Sequence, residues 1–262
     1  QGVMPRARKI KASLLDFKDF LAERYAPTSR ETYLSAIRSF YRAFDIDPPL
    51  NLTKANNIMP LERNTNHKFD KEQIRAMTEY ANIRDKAIIL TMKSSGMARQ
   101  EIINLTYRQF REGYDFRTKI AIIRMRRQKT NTDFITFIDP EGTLAVINYL
   151  TKYRRYWGGF DEKFDSEPLF MSLKGDGNID EKSFGLIFWL MAKKMRIHTP
   201  TKTKETRKFN AIHSHNLRKF FNTTLKNDGM NSDIVEFMLG HKGDRTKAAY
   251  YLHDAEKLKE QY

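Results

Sequence analysis

Apolar residues at helical spacing dominate the first part of the chain. One stripe runs from Leu14 to Leu21, and Ser13 stands where an N-cap residue belongs. After a restart at Pro27, a second stripe runs from Tyr33 to Phe44. Both stripes predict amphipathic helices, because apolar side chains three and four residues apart share one face of a helix.

The helical pattern ends at Asp47-Pro48-Pro49, and the sequence from there to His67 is polar without a sustained period. We expect a domain boundary in this stretch. Residues 1–64 are therefore predicted to form a short helical region with a linker, and residues 65–262 to form a second, larger domain.

The larger domain is predicted to be mainly helical. Its predicted helices cover residues 70–81, 84–94, a short segment ending at Leu105, and residues 141–157, 181–195, 214–227 and 232–239. The period changes between Phe116 and Ile138, where two β-rich runs flank a polar turn at Gln128 to Asn131. We therefore predict a mainly α domain with a small antiparallel β-sheet, an α+β fold.

The charge balance indicates a partner. Among 262 residues, 47 are Lys or Arg and 32 are Asp or Glu, which gives a net charge of +15. A basic surface binds polyanions, because each Lys or Arg placed against a phosphate releases a condensed counterion. Nucleic acid is therefore the expected partner, and a basic surface that only maintains solubility is the alternative.

The chain contains no cysteine, which excludes a disulfide framework, a thiol nucleophile and Cys-ligated zinc. No apolar run approaches the roughly 20 residues of a membrane span, and no signal-type segment follows the basic start. We expect a soluble, unexported cytoplasmic protein that has no membrane partner.

The segment His213-Ser-His-Asn-Leu-Arg218 is the most informative for chemistry. With Ser214 as N-cap, His215 and Arg218 lie three residues apart on one helix face. A guanidinium offers a fork of donors to a phosphate oxyanion, and an imidazole beside it can move a proton. The alternative is a structural histidine beside a surface salt bridge.

Other segments add candidate residues. His241 follows the predicted C-cap Gly240, and Tyr250 stands nine residues after it. Arg99 enters a helix at its N-terminus, where anions are attracted, and Lys129 lies at the tip between the two predicted strands. Each has a structural alternative, since tyrosines pack in cores and a lysine in a hairpin turn is usually solvated.

In their order along the chain, these segments resemble the tyrosine recombinase (phage integrase) family. Its catalytic domain carries Arg, then Lys in a β-hairpin, His-x-x-Arg, His or Trp, and finally Tyr. In this chain the series is Arg99, Lys129, His215 with Arg218, His241 and Tyr250. The resemblance covers Phe69 to Tyr262 and implies a tyrosine recombinase catalytic fold, preceded by a short helical core-binding region that clamps DNA.

Two features depart from the commoner pattern of the family. The Gly96-Met-Ala-Arg99 loop is one residue longer than the usual Gly-Leu-Arg form and looks more like that of archaeal integrases. The N-terminal region has two predicted helices where the family usually has about four, which predicts a truncated or minimal clamp. We expect an integrase of a mobile element, such as a virus or plasmid.

The resemblance also implies residue roles. Tyr250 attacks a DNA phosphodiester and forms a 3′-phosphotyrosyl link, without metal or other cofactor. Arg99 and Arg218 hold the non-bridging oxygens, Lys129 protonates the leaving 5′-oxygen, His215 acts as general base, and His241 donates a hydrogen bond to the phosphate. Tyr251 is a second candidate nucleophile, because Tyr251-Leu-His253 resembles the family's Tyr-x-His ending.

A basic segment supports double-stranded DNA as the substrate. It contains Lys193, Lys194, Arg196, Lys202, Lys204, Arg207 and Lys208. We expect these side chains to follow the DNA backbone with little base readout. Site-specific exchange further implies specific attachment sites and self-association on DNA, with a tetrameric synapse. The tail with Lys257 to Glu260 is predicted to form a helix donated to a neighbouring protomer.

Three alternatives stay open on the sequence. A type IB topoisomerase uses similar chemistry but religates the same strand, and a DNA-binding protein of this fold need not be catalytic. A metal-dependent nuclease is disfavoured, because His213 and His215 are only two apart and no acidic cluster provides ligand spacing. The Gly175-Asp-Gly177 turn lacks the Gly-Lys-Ser/Thr of a nucleotide-binding loop.

Overall fold

The structure, a computed structural model, describes residues 7–25, 27–46, 69–152, 161–175, 177–197, 212–241 and 254–262. The chain divides into two compact units. The described part of the first ends at residue 46, and that of the second begins at residue 69. None of the described helices is both long and apolar enough to cross a membrane.

The described residues of the first unit form two helices, α1 (Ala7–Arg24) and α2 (Pro27–Arg42). Buried Leu14, Leu21 and Leu34 form the contact between them. Both helices were predicted, but the prediction of Ser13 as N-cap is wrong. The helix begins six residues earlier, because the alanine, arginine and lysine residues before Ser13 favour helix and extend it towards the N-terminus.

Over its described residues the second unit is mainly helical with one β-hairpin, which confirms the predicted fold class. Its helices are α3 (Lys71–Tyr80), α4 (Ile83–Ser95), α5 (Arg99–Ile103), α6 (Tyr107–Gly113), α7 (Pro140–Lys152), α8 (Glu181–Lys194), α9 (Ser214–Asn227), α10 (Ser232–Met238) and α11 (Ala255–Gln261), and its strands are β1 (Ala121–Arg127) and β2 (Thr132–Ile138). A short 3₁₀ turn covers Glu162–Phe164. The side chain of Asp70 caps α3 by accepting the N–H of Gln73 at 2.6 Å.

Helix α4 is the centre of this unit. It is buried nearly all round and packs against α7, α9 and β2. Its buried apolar residues are Ala87, Ile88, Ile89, Leu90 and Met92. A helix that buries every face belongs to the middle of a core, so the elements that carry the site are positioned by their contacts with α4.

The hairpin is antiparallel, with Ala121 opposite Ile138 and Arg127 opposite Thr132. Its turn coincides with the polar turn predicted from the sequence. The Thr136 hydroxyl on β2 donates to the carbonyl of Ser95 at 2.6 Å, which fixes the hairpin to the end of α4.

Gly96 ends α4 in the left-handed conformation, with φ of 63°, and its N–H donates to the Met92 carbonyl at 3.0 Å. A Cβ atom at this position would stand 2.8 Å from Leu239 Cδ2 and would also collide with the Phe221 ring. The helix thus ends at Ser95, one residue beyond the predicted end. The absence of a side chain lets α9 and the end of α10 approach the end of α4.

Helix α11 packs against its own chain. Ala255 and Leu258 are buried in a cluster with Ile122, Phe137 and Phe221. The hydroxyl of Tyr262 donates to the Ser94 carbonyl at 2.9 Å. The tail was predicted to form a helix for a neighbouring protomer; in this structure that helix completes the core of its own unit.

An ion pair holds the other side of α11. The ammonium of Lys259 donates to the Asp115 carboxylate at 2.8 Å. Hydrogen bonds from Lys259, the Arg117 N–H and the Thr118 hydroxyl hold the pKa of Asp115 well below its usual range. The carboxylate therefore stays ionised, and the pair persists, in moderately acidic solution.

Gly96→Ala should lower the free energy of unfolding by about 2 to 4 kcal/mol, because it adds left-handed strain and forces Phe221 and Leu239 apart. The matched control is Gly185→Ala in α8, whose new Cβ meets nothing within 4 Å and should stabilise by about 0.5 to 1 kcal/mol. Urea unfolding of both variants measures the difference. Equal stability of the two variants would contradict the close approach at Gly96.

Candidate active site

The N-terminus of α9 carries the first two candidate residues. His213 is the N-cap, with extended backbone, and Ser214 is the first helical residue, so the prediction of Ser214 as N-cap is wrong. The chain turns one residue earlier than predicted, where the Asn216 N–H donates to the His213 carbonyl at 3.0 Å. His215 is exposed and its ring is parallel to that of His213, with centroids 6.2 Å apart.

His215 is suited to accept a proton. Desolvation, together with the positive charges of Lys219 and Arg218 and the nearby His241, lowers the pKa of its imidazole below the ordinary value. The ring is therefore mostly neutral near pH 7, and it is open to solvent.

Arg218 is the buried cation of the site. One terminal nitrogen donates to the Gly96 carbonyl at 2.7 Å, and the other donates to the Leu239 carbonyl and lies 3.1 Å from His241 Nε2. The carboxylate of Glu101 lies 3.6 Å away. Burial lowers the pKa of Arg218 to about 10, and nearby Glu101 opposes that shift. The guanidinium is therefore still charged at neutral pH.

Two further charged residues, Glu101 and Arg127, belong to the cluster around Arg218 and were not predicted as site residues from the sequence. Glu101 is buried on α5, where it accepts the Ala98 N–H at 2.6 Å, and it forms an ion pair with Arg127 Nε at 3.2 Å. Arg127 also donates to the carbonyls of Leu239 and Gly240 at 3.2 and 3.3 Å. Strand alternation was the available signal, since Arg127 follows Ile123 and Met125 on the inward face of β1.

His241 is held at both ring nitrogens. Arginine can only donate, so His241 Nε2 accepts from Arg218, and a neutral ring then carries its proton on Nδ1, where it pairs with Glu236. Lys226 donates to Glu236 at 2.5 Å. Burial acts to raise the pKa of Glu236, but the hydrogen bonds from Lys226 and His241 outweigh burial and lower it. The carboxylate that orients His241 is therefore ionised.

Lys129 lies in the turn between β1 and β2 and is exposed. Its neighbour Thr130 contacts the Gly240 carbonyl through a long hydrogen bond of 3.4 Å. Gly240 has φ of 64°, and a Cβ there would stand 2.9 Å from the Phe134 ring. The hairpin tip that carries Lys129 is thus packed against the turn that precedes His241.

The ion-pair partner of Arg99 lies outside the cluster around Arg218. As the first residue of α5 it is nearly half exposed and forms an ion pair with Glu181 on α8 at 2.7 Å. The structure therefore brings together Arg218 and His241, with His215 and the Lys129 hairpin beside them. Arg99 stays with Glu181, and Tyr250 and Tyr251 lie outside the described residues.

The predicted DNA-binding residues are described only in part. The Lys193 ammonium stands 5.5 Å over the Trp189 ring, and Lys194 donates to the Tyr80 carbonyl at 2.9 Å, near the C-terminus of α3. Arg196 follows α8 with φ of 53°. Four predicted residues, Lys202, Lys204, Arg207 and Lys208, lie outside the described residues.

The cluster can bind an anion and transfer protons. Arg218 shares the single carboxylate of Glu101 with Arg127, the imidazole of His241 lies 3.1 Å from the Arg218 guanidinium, and Lys129 lies on the adjacent turn. Such donors stabilise a negatively charged oxygen as charge develops on it. Within the described ranges, no group of three acidic or histidine side chains is arranged to hold a metal ion.

Comparison with known proteins adds family information. Residues 67–257 match the sequence profile of the phage integrase family. The tyrosine recombinase XerD of Pseudomonas putida is 26% identical over 248 residues, covering 90% of this chain and 74% of XerD.

Two solved structures are similar in fold. The XerH site-specific recombinase bound to a palindromic difH substrate has a TM-score of 0.63 at 14% identity, covering 95% of this chain and 68% of that one. The Tn1549 transposon integrase in complex with transposon right end DNA has a TM-score of 0.60 at 17% identity, covering 99% of this chain and 86% of that one.

Glu101→Gln should lower the free energy of unfolding by about 3 kcal/mol, because it leaves two partly or fully buried guanidiniums without their carboxylate. The control is Glu112→Gln, which removes the exposed pair with Arg108 and a longer pair with Arg111 at 3.7 Å, and it should change stability little because Arg111 keeps its pair with Asp165. Chemical unfolding of both variants is the measurement. A neutral effect of Glu101→Gln would refute the role of Glu101 as shared counter-ion.

Proposed function

Because this chain belongs to the phage integrase family and is a site-specific tyrosine recombinase that acts on DNA, we propose that Tyr250 is its nucleophile and that the cluster around Arg218 binds the scissile phosphate. The observation that carries the proposal is the contact between Arg218 and His241 beside the Lys129 hairpin. It joins three segments of the family series at one point of the fold.

Arg218 and His241 bind the non-bridging oxygens of the phosphate. A phosphate oxygen replaces part of the carbonyl contacts of Arg218, and Nε2 of His241, released from Arg218, takes up a proton from solvent and donates it in a hydrogen bond to the phosphate. Glu236 keeps its hydrogen bond to Nδ1 and stabilises the resulting imidazolium. Arg99 supplies a second guanidinium by exchanging its pair with Glu181 for the phosphate. That exchange costs little, because the pair is exposed.

Proton transfer completes the reaction. His215 takes the phenol proton as the Tyr250 oxygen attacks phosphorus, and Lys129 gives a proton to the 5′-oxygen that leaves. The products are a 3′-phosphotyrosyl link and a free 5′-hydroxyl. The 5′-hydroxyl of a partner strand then attacks the link and releases Tyr250, so strands are exchanged without metal, nucleotide or other cofactor.

The substrate is double-stranded DNA with specific attachment sites, on which four protomers assemble into a synapse. The net charge of +15 supports a polyanionic partner. The proposed setting is the nucleoid in the cytoplasm of a host, with a mobile element as the source. Pairing of two duplexes separates this proposal from a type IB topoisomerase, which would relax supercoils as a monomer.

Tyr250→Phe should abolish the covalent protein–DNA adduct that the parent chain forms with a nicked suicide duplex in EDTA, because phenylalanine has no nucleophilic oxygen. A denaturing gel measures the adduct, and a native gel confirms that the variant still binds DNA. Tyr251→Phe is the matched control and should retain the adduct. An adduct with Tyr250→Phe that disappears with Tyr251→Phe would move the nucleophile to Tyr251.

Replacing Lys202, Lys204, Arg207 and Lys208 with Gln should weaken binding equally on specific and scrambled duplexes. The slope of log K against log salt should become shallower by about 0.9 for each ion pair with a DNA phosphate that the substitutions remove. Binding titrations at several salt concentrations measure this slope. An unchanged slope would show that the segment is only a solvated surface.

A further inference from the structure

We propose that Arg127 is a positioning residue for Lys129, and that it acts by fastening the hairpin tip to the turn that precedes His241. The inference rests on the proposed function, in which Lys129 is the general acid. It adds a residue that acts through Lys129, whereas Arg218 and His241 are the residues proposed to contact the phosphate.

The first support is the contact between the hairpin and that turn. Arg127 is the last residue of β1, and its guanidinium donates to the carbonyls of Leu239 and Gly240 at 3.2 and 3.3 Å. Thr130 on the far side of the tip also contacts the Gly240 carbonyl. Lys129 stands between these two points of attachment along the chain.

The second support is the fixed orientation of the Arg127 side chain. Its Nε pairs with the buried carboxylate of Glu101 at 3.2 Å, and the same carboxylate faces Arg218. A guanidinium held at one edge presents its remaining donors in a set direction. Glu101 thereby places the hairpin clamp and the phosphate-binding arginine relative to one another.

The third support is the close packing at Gly240. A Cβ at Gly240 would stand 3.3 Å from Arg127 Cδ and 2.9 Å from the Phe134 ring. The hairpin therefore contacts the turn with aliphatic atoms as well as hydrogen bonds. A matched surface of this kind fixes a position rather than only bringing two segments near each other.

The consequence concerns the distance over which Lys129 must act. A general acid works only within hydrogen-bond reach of the leaving oxygen, and a misplacement of about 1 Å can cost about 100-fold in rate. Arg127 and Lys129 are two residues apart, so their Cα atoms are at most about 7 Å apart. Loss of the Arg127 contacts should therefore displace Lys129, the proposed general acid.

The test is single-turnover cleavage by Arg127→Gln at saturating protein, on an ordinary suicide duplex and on one with a 5′-bridging phosphorothiolate. The sulfur leaves as a thiolate and needs no proton from Lys129. We expect Arg127→Gln to slow cleavage of the ordinary duplex by about 10- to 100-fold and to cleave the thiolate duplex within about 3-fold of the parent rate. Lys129→Ala should show the same rescue.

The matched control is Arg124→Gln, which removes an exposed arginine from the same strand and should leave both rates unchanged. Arg127→Lys is the second variant, since it keeps a cation beside Glu101 and so protects folding. It lacks the planar guanidinium that donates to the two carbonyls through one nitrogen while another faces Glu101, and it should also be rescued by sulfur. Unfolding transitions establish that each variant is folded.

The inference is overturned if both Arg127 variants stay slow on the thiolate duplex, because Arg127 then acts on the phosphate or on the fold as a whole. It is also overturned if Arg127→Lys cleaves the ordinary duplex at the parent rate. Failure of the proposed function looks different. In that case the parent chain itself forms no adduct with either duplex.

Discussion

A buried guanidinium must be given acceptors wherever the chain folds around it, and Arg218 imposes this requirement on the catalytic unit. Its acceptors are the carbonyls of Gly96 and Leu239, which belong to the ends of two separate helices. Those ends can meet only where side chains are absent or small, which explains the left-handed glycines at positions 96 and 240. The packing around Arg218 therefore follows from the need to supply its guanidinium with hydrogen-bond acceptors.

The same cluster is incompletely neutralised. Arg218 and Arg127 face one buried carboxylate, Glu101, while Glu236 is shared with Lys226 and His241. A site with fewer anions than cations attracts an anion from solution, and a phosphodiester fits because it accepts several hydrogen bonds at once. The excess positive charge thus has two effects: repulsion between like charges destabilises the free protein, and attraction gives the site its affinity for a phosphate.

The sequence predicted most elements where local preference and tertiary packing agree, as at the stop after α4 and over the full length of α9. It failed at Ser13 and Ser214, because a serine before an apolar stripe is compatible with capping but does not require it. The partner of Arg99 is 82 residues away along the chain, and no local pattern encodes that distance. The inward orientation of Arg127 could be predicted from strand alternation, but its hydrogen-bond and ion-pair partners could not.

The hairpin has a consequence for the order of folding. Among the described residues β1 and β2 form a two-stranded sheet, to which only a single bridge between Ala121 and Tyr114 is added, and a two-stranded hairpin by itself is marginally stable. Its stabilising hydrogen bonds reach residues 41 and 112 positions away, so they form only after long loops have closed. The reactive centre is therefore completed late in folding. Its backbone amides should exchange with solvent through local opening, well before the rest of the unit unfolds.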